Sequence, residues 1–143
     1  MNNKLIGYIN ILFLIIQFFL SAVILLKGNK IPLHWGICEK IDSYGSAWNI
    51  VILVLLNIFL NVVFHWLKRH PEFCNFPRPF KNRDIAFRNM SNLIQWIGFY
   101  VSLLFLYLTV GILFHRIWIW CFFTLIIVFI FTIIAGIVKL WKS

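Results

Sequence analysis

Acidic side chains are scarce in this chain. Only four of its 143 residues are Asp or Glu, and none lies in its long apolar runs, which also lack Lys and Arg. An intramembrane carboxylate or cation is the usual element of a proton relay or ion-coupled pump, so that chemistry has no obvious carrier here. Cysteine is limited to Cys38, Cys74 and Cys121, with no C-x-x-C spacing to suggest metal or dithiol work. Helix-turn-helix, aromatic-platform and metal-knuckle patterns are missing too, which sets nucleic acid aside as a partner despite a net charge of +9.

What the sequence has in excess is apolar length. Hydrophobic residues make up 62% and charged residues 12%, with a mean hydropathy of +0.92. A soluble domain of this size could not cover so much apolar surface. Four uncharged runs, 5–26, 47–67, 93–114 and 117–138, each have the roughly twenty residues needed to cross a bilayer as a helix. In lipid a helix satisfies its backbone within one segment. The expected fold is therefore all-α: one integral membrane four-helix bundle, 1–143, with an outer loop at 27–46 and a basic cytoplasmic loop at 68–92.

The cations divide by side. Lys4, Lys68, Arg69, Arg78, Lys81, Arg83, Arg88, Lys139 and Lys142 would lie inside, and only Lys27, Lys30, Lys40 and Arg116 outside. Nine against four places both termini in the cytoplasm, N-in and C-in. The basic face also suits anionic headgroups of the lipid bilayer. Trp48, Trp66, Trp96, Trp118, Trp120 and Trp141 flank the runs, where an indole sits well at headgroup level. The first run is longer than a signal-peptide core and no A-x-A site follows it, so it is expected to stay as a signal anchor. Cys38 and Cys74 then lie on opposite sides and cannot pair. A Cys38–Cys121 bridge is the disfavoured alternative to free thiols.

Polar residues recur along the runs at helical spacing. Run two has Asn49, Asn57, Asn61 and His65; run three has Gln95, Ser102 and Thr109 beside Gly98 and Gly111. Run one has Asn10, Gln17 and Ser21, and run four has Thr124, Thr132 and Gly136. Spacings of three, four or seven put such residues on one face. Gln17, Asn57, Asn61, Gln95 and Ser102 are the candidate intramembrane polar site. Interhelical hydrogen bonding is the favoured reading, at about 0.6 kcal/mol per bond; a solute pocket is the alternative.

The outer loop carries Ile31-Pro32-Leu33-His34-Trp35 and Asp42-Ser43-Tyr44-Gly45-Ser46. Pro32 restricts its neighbour to extended backbone, Gly45 offers a flexible turn, and Ser46 can cap the second helix. His34 and Asp42 are close enough to bond, with Trp35 and Tyr44 beside them. Pro32, His34, Trp35, Asp42, Tyr44 and Gly45 are the candidate ligand or partner site. His34, Cys38, Glu39 and Asp42 lack a standard metal-ligand spacing. In the other loop, residues 82–92 read as a short amphipathic helix suited to the interface or to a cytoplasmic protein partner.

These loops resemble a known family, the small membrane domain of unknown function found in SdpI-type bacterial immunity proteins and as stand-alone membrane proteins. The family pattern is roughly P-x-H-[WF]-x-x-x-G-x-x-D-x-[YF]-G-S-K, matched by Pro32, His34, Trp35, Asp42, Tyr44, Gly45 and Ser46. A second family pattern, N-[YF]-P, is matched by Asn75-Phe76-Pro77, after His70-Pro71-Glu72. Glu39 stands where the family usually has glycine, and Ala47 where it often has lysine. The resemblance covers the first three helices. It implies a non-enzymatic protein of the bacterial cytoplasmic membrane, immunity-like, that protects against or senses a toxin or antimicrobial peptide, with no cofactor, catalytic residue or metal. A small transporter using the polar stripes is the alternative, and a membrane enzyme using His34 and Asp42 the second.

Overall fold

The structure, a computed structural model, describes residues 3–28, 30–36, 38–75 and 81–143, with Asn3 by its backbone alone. Four helices dominate it: α1 (Asn3–Lys27), α2 (Asn49–Arg69), α3 (Arg83–Phe114) and α4 (Ile119–Lys142). Each is long and apolar enough to cross a membrane. Their outer surfaces are strongly apolar: Phe19, Phe59, Trp120 and Phe131 are each more than 60% exposed. Successive helices run antiparallel. Asn10 meets Asn61 and Gln17 meets Asn57 across α1 and α2. Tyr107 meets Trp118 and Tyr100 meets Thr132 across α3 and α4.

Two features differ from the sequence expectation. The segment 82–92 is no separate helix but the opening turns of α3, which continues unbroken for 32 residues. At about 1.5 Å per residue it is some 48 Å long, more than the ~30 Å hydrocarbon core. Nothing between Arg83 and Leu93 breaks it, and Asn82 Oδ1 caps it by accepting from the Ile85 N–H at 3.1 Å. The loop between α1 and α2 folds as an antiparallel hairpin of β1 (Ile31–Trp35) and β2 (Ile41–Gly45).

The packing is three helices plus one. α3 is central, with α1 and α2 on one side and α4 on the other. At the hairpin end Ile24, Ile31, Ala47, Ile50 and Ile112 form an apolar cluster. At the basic end Met90, Leu93, Ile94 and Leu140 form another. The Ser143 carbonyl oxygen accepts from the Lys81 and Asn82 N–H groups at 3.0 and 2.9 Å, tying the end of α4 to the start of α3.

Two helical glycines test this packing. A Cβ on Gly98 would meet Asn10 Nδ2 and Phe64 at an ordinary 3.5 Å, whereas one on Gly136 would overlap Leu93 Cδ1. Leu93 is itself buried in the basic-end cluster and has little room to move. Gly136→Ala should lower unfolding free energy in mixed micelles by about 1–3 kcal/mol. Gly98→Ala should be neutral or stabilising, since alanine favours a helix by roughly 0.5–1 kcal/mol. Equal effects at the two positions would contradict the α3–α4 contact.

Candidate functional site

Between the two apolar clusters lies a polar layer. Asn10 Nδ2 donates to Asn61 Oδ1 at 3.0 Å, and Asn61 Nδ2 donates to Ser102 Oγ at 2.7 Å. The Ser102 hydroxyl donates to Asn57 Oδ1 at 3.4 Å, and Asn57 Nδ2 to Gln17 Oε1 at 2.6 Å. Gln17 Nε2 then donates to Thr109 Oγ1 at 3.3 Å, whose hydroxyl ends the chain on the Phe105 carbonyl at 2.9 Å. Every side chain between the ends both gives and accepts, and the order passes repeatedly among α1, α2 and α3. Gln17, Asn57, Ser102 and Thr109 are wholly buried. Five of these bonds cross between helices, which amounts to about 3 kcal/mol at the average membrane value. Asn10 Oδ1 and Ser21 Oγ, at the margins, are buried without a hydrogen-bond partner.

The predicted stripes enter this layer unequally. The α3 stripe faces inward throughout, Gln95 lying buried one heptad before Ser102. On α2 only Asn57 and Asn61 take part in it; His65 is exposed because the face drifts around the helix. The threonines of α4 do not join. Thr124 and Thr132 donate to the Trp120 and Val128 carbonyls of their own helix at 2.8 and 2.9 Å. A threonine hydroxyl can be satisfied one turn back; an asparagine in hydrocarbon needs a neighbour.

Above the hairpin-end cluster sits the loop motif. Pro32 is buried and pairs across the strands with Tyr44. Trp35 is half-buried against the cluster. A bulge at Leu33 shifts the register, so that His34 faces Ser43. His34 Nδ1–H donates to Asp42 Oδ1 at 2.6 Å. Their side chains are 68% and 53% exposed, so the pair is worth at most about 1 kcal/mol. The hairpin thus has two faces: Ile31, Pro32 and Trp35 anchor it, while His34, Asp42 and Tyr44 are displayed to solvent. Gly45 ends β2, and its role differs from the expected flexible turn. A Cβ there would overlap Leu33 Cδ1 and approach Asn49 Nδ2 to 2.8 Å. Ser46 Oγ accepts from the Trp48 N–H at 3.3 Å, just before α2.

The sequence reading singled out Glu39 as a departure from the family pattern but not its role as a cap. Glu39 has φ +59°, a left-handed conformation unusual for a side chain with a Cβ. The turn needs it: the Gly36 N–H donates to the Lys40 carbonyl at 2.8 Å, and the Glu39 N–H to the Gly36 carbonyl at 2.9 Å. Glu39 Oε1 then accepts from the Ile119 N–H at 2.9 Å. A carboxylate there satisfies a free N–H and suits the helix dipole, and Trp118 supplies no side-chain cap of its own. The signal was available, since this is the position where the resembling family has glycine. Tyr107 makes a second clasp: its hydroxyl donates to the Trp118 carbonyl at 2.7 Å and accepts from the Trp118 N–H at 2.9 Å.

At the basic end, His70 Nδ1–H donates to Glu72 Oε1 at 3.0 Å, and the Trp66, His70 and Phe73 rings cluster, with His70 and Phe73 edge to face. The Glu72 backbone N–H, then the His70 bond, hold its carboxyl below the usual range. Burial, then the Glu72 charge, pushes the Cys74 thiol up. Phe76 and Pro77 of the second motif, with Arg78, lie outside the described residues. The three cysteines carry free thiols. Among the described residues, no three His, Cys, Asp or Glu side chains group as metal ligands would. Comparison with protein-family models, curated proteins and solved structures finds no match.

Two pairs of substitutions separate these elements. Asn57→Leu strands Gln17 Oε1 and removes an acceptor from both Asn61 and Ser102; it should cost about 1–2 kcal/mol in micelle unfolding, whereas Thr124→Val should cost almost nothing. At Glu39, Ala keeps the backbone strain but loses the cap, and should destabilise by about 1 kcal/mol. Gly also loses the cap but relieves about 1–2 kcal/mol of left-handed strain, so Glu39→Gly should come out near neutral. Equal losses for Ala and Gly would refute the account of the turn.

Proposed function

We propose that this chain is a multi-pass protein of the bacterial cytoplasmic membrane, with both termini inside, whose outer hairpin recognises a toxin or antimicrobial peptide at the envelope. The observation that carries the reading is the split between the two candidate sites. The amides of the interior layer are spent largely on one another, which supports a structural role. The hairpin instead holds a hydrogen-bonded His–Asp pair and a phenol in the open on an anchored base. Rigid display of aromatic and polar groups lowers the entropy lost on binding. The pattern shared with the immunity-type family falls on these same residues. In this reading the role is non-enzymatic, and His34, held by Asp42 at 2.6 Å, serves recognition.

The test is expression in a sensitive bacterial host challenged with a panel of membrane-active peptides. Wild-type chain should protect against at least one agent, and His34→Ala, Asp42→Asn and Tyr44→Ala should lose protection at unchanged membrane abundance. On the same intact cells Cys38 should react with an impermeant thiol reagent, and Cys74 only after permeabilisation. Protection that survives all three hairpin substitutions would make the hairpin a scaffold. Reversed labelling would overturn the orientation.

A further inference from the structure

A crevice of about 410 Å³ opens at the hairpin end, between the last turn of α1 and the start of α2. Leu25, Gly28, Lys30, Ser46, Ala47 and Trp48 line it. Its chemistry is divided. Leu25 and Ala47 give an apolar floor, and Trp48, 72% exposed, gives an indole wall. Lys30, an exposed cation, and Ser46 complete the polar part of its lining. Ser46 Oγ is only an acceptor in its bond from Trp48, so its O–H remains available to donate. Gly28 turns the chain away from α1 at φ +65°, and a Cβ there would meet no atom within 4 Å.

Cations outnumber carboxylates at this end, with Lys27, Lys30, Lys40 and Arg116 against Glu39 and Asp42. Lys27 closes α1 beside the crevice, adding a second cation. The acids of the hairpin are engaged elsewhere: Asp42 with His34, and Glu39 with the Ile119 N–H. Neither lines the crevice. A cation beside an apolar floor, at the ends of membrane-length helices, matches a ligand that is anionic at one end and apolar at the other.

We propose that this crevice binds the phosphate ester of an anionic membrane phospholipid. Lys30 and Ser46 bind the phosphate oxygens, and the glycerol and upper acyl chain lie along Leu25 and Trp48. The inference rests on the membrane-spanning reading of the helices and is independent of peptide recognition by His34 and Asp42. A phosphate held this way receives one charge-assisted bond and one hydroxyl bond; losing the charged one, at about 1.5–3 kcal/mol, corresponds to at least a tenfold drop in affinity.

Native mass spectrometry of the protein released from micelles doped with phosphatidylglycerol tests the site. Wild type should retain one lipid per chain, and Lys30→Gln with Ser46→Ala should retain at least tenfold less. Lys30→Arg should keep binding, and Lys142→Gln, at the opposite end, should leave it unchanged. Trp48 emission, taken as the difference between wild type and Trp48→Phe, should be quenched by brominated phosphatidylglycerol; this readout leaves Lys30 and Ser46 intact. Four results would overturn the site: undiminished retention in the double variant, an equal loss from Lys142→Gln, equal retention of phosphatidylcholine, or displacement by millimolar inorganic phosphate, which marks a free-anion site. Recovery of the chain as a soluble species without detergent would instead sink the membrane reading.

Discussion

The fold turns on one requirement, that an amide buried among apolar side chains must find its partners within the protein. Asn57 shows it most plainly. It is wholly buried, and its two polar ends reach Gln17 on α1 and Asn61 and Ser102 on α2 and α3. Apolar contacts alone do little to fix how far one helix slides past another, because one ridge of Leu and Ile resembles the next. A side chain that must donate and accept in fixed directions removes that freedom. The layer therefore sets the relative heights of α1, α2 and α3, and with them the level of the platform under the hairpin.

α4 obeys a different logic. Its threonines are satisfied on their own backbone, so the interior layer does not place it. It is held at its ends: Glu39 and Tyr107 grip its N-terminal approach, and the Ser143 carbonyl meets the start of α3. Between these points it packs on α3 by apolar contact and by one polar contact, the Thr132 and Tyr100 hydroxyls 3.4 Å apart, with Gly136 seated over Leu93. Glu39 is the link between this arrangement and the hairpin, since the strained turn that closes the strands also delivers the carboxylate to α4. Strain in one backbone unit is offset by a cap satisfied elsewhere, a coupling visible only in three dimensions.

How much of this could be read beforehand follows from the range of each signal. The helices were legible because an uncharged run of membrane length admits few other structures. Asn57, Asn61 and Ser102 were legible as an inward face because their spacing repeats with the helix. Which residue met which was not, since it depends on helix rotation and height. The amphipathic start of α3 was legible, but its fusion with the membrane-length run was not, because the absence of a breaker is weaker evidence than its presence. The hairpin hid behind Pro32 and a bulge at Leu33, both of which interrupt the alternation that marks a strand. The His34–Asp42 pair was nonetheless reachable, since eight residues of separation within a short closed loop leave few other partners. The chemistry of the loop was thus more legible than its shape.

The distribution of unmet polar groups differs between the interior and the hairpin end. In the interior, nearly every donor in the layer has an acceptor, and a solute entering it would have to break bonds already made in a medium of low polarity. At the hairpin end the balance reverses. His34, Asp42 and Tyr44 face outward, Lys30 has no carboxylate beside it in the crevice, and the Ser46 hydroxyl proton is uncommitted. Water can satisfy these groups, so leaving them exposed costs the fold little, and a ligand of matching chemistry can replace that water. The interior amides fix the geometry because they have no such alternative, and the exposed end is free to bind because it does.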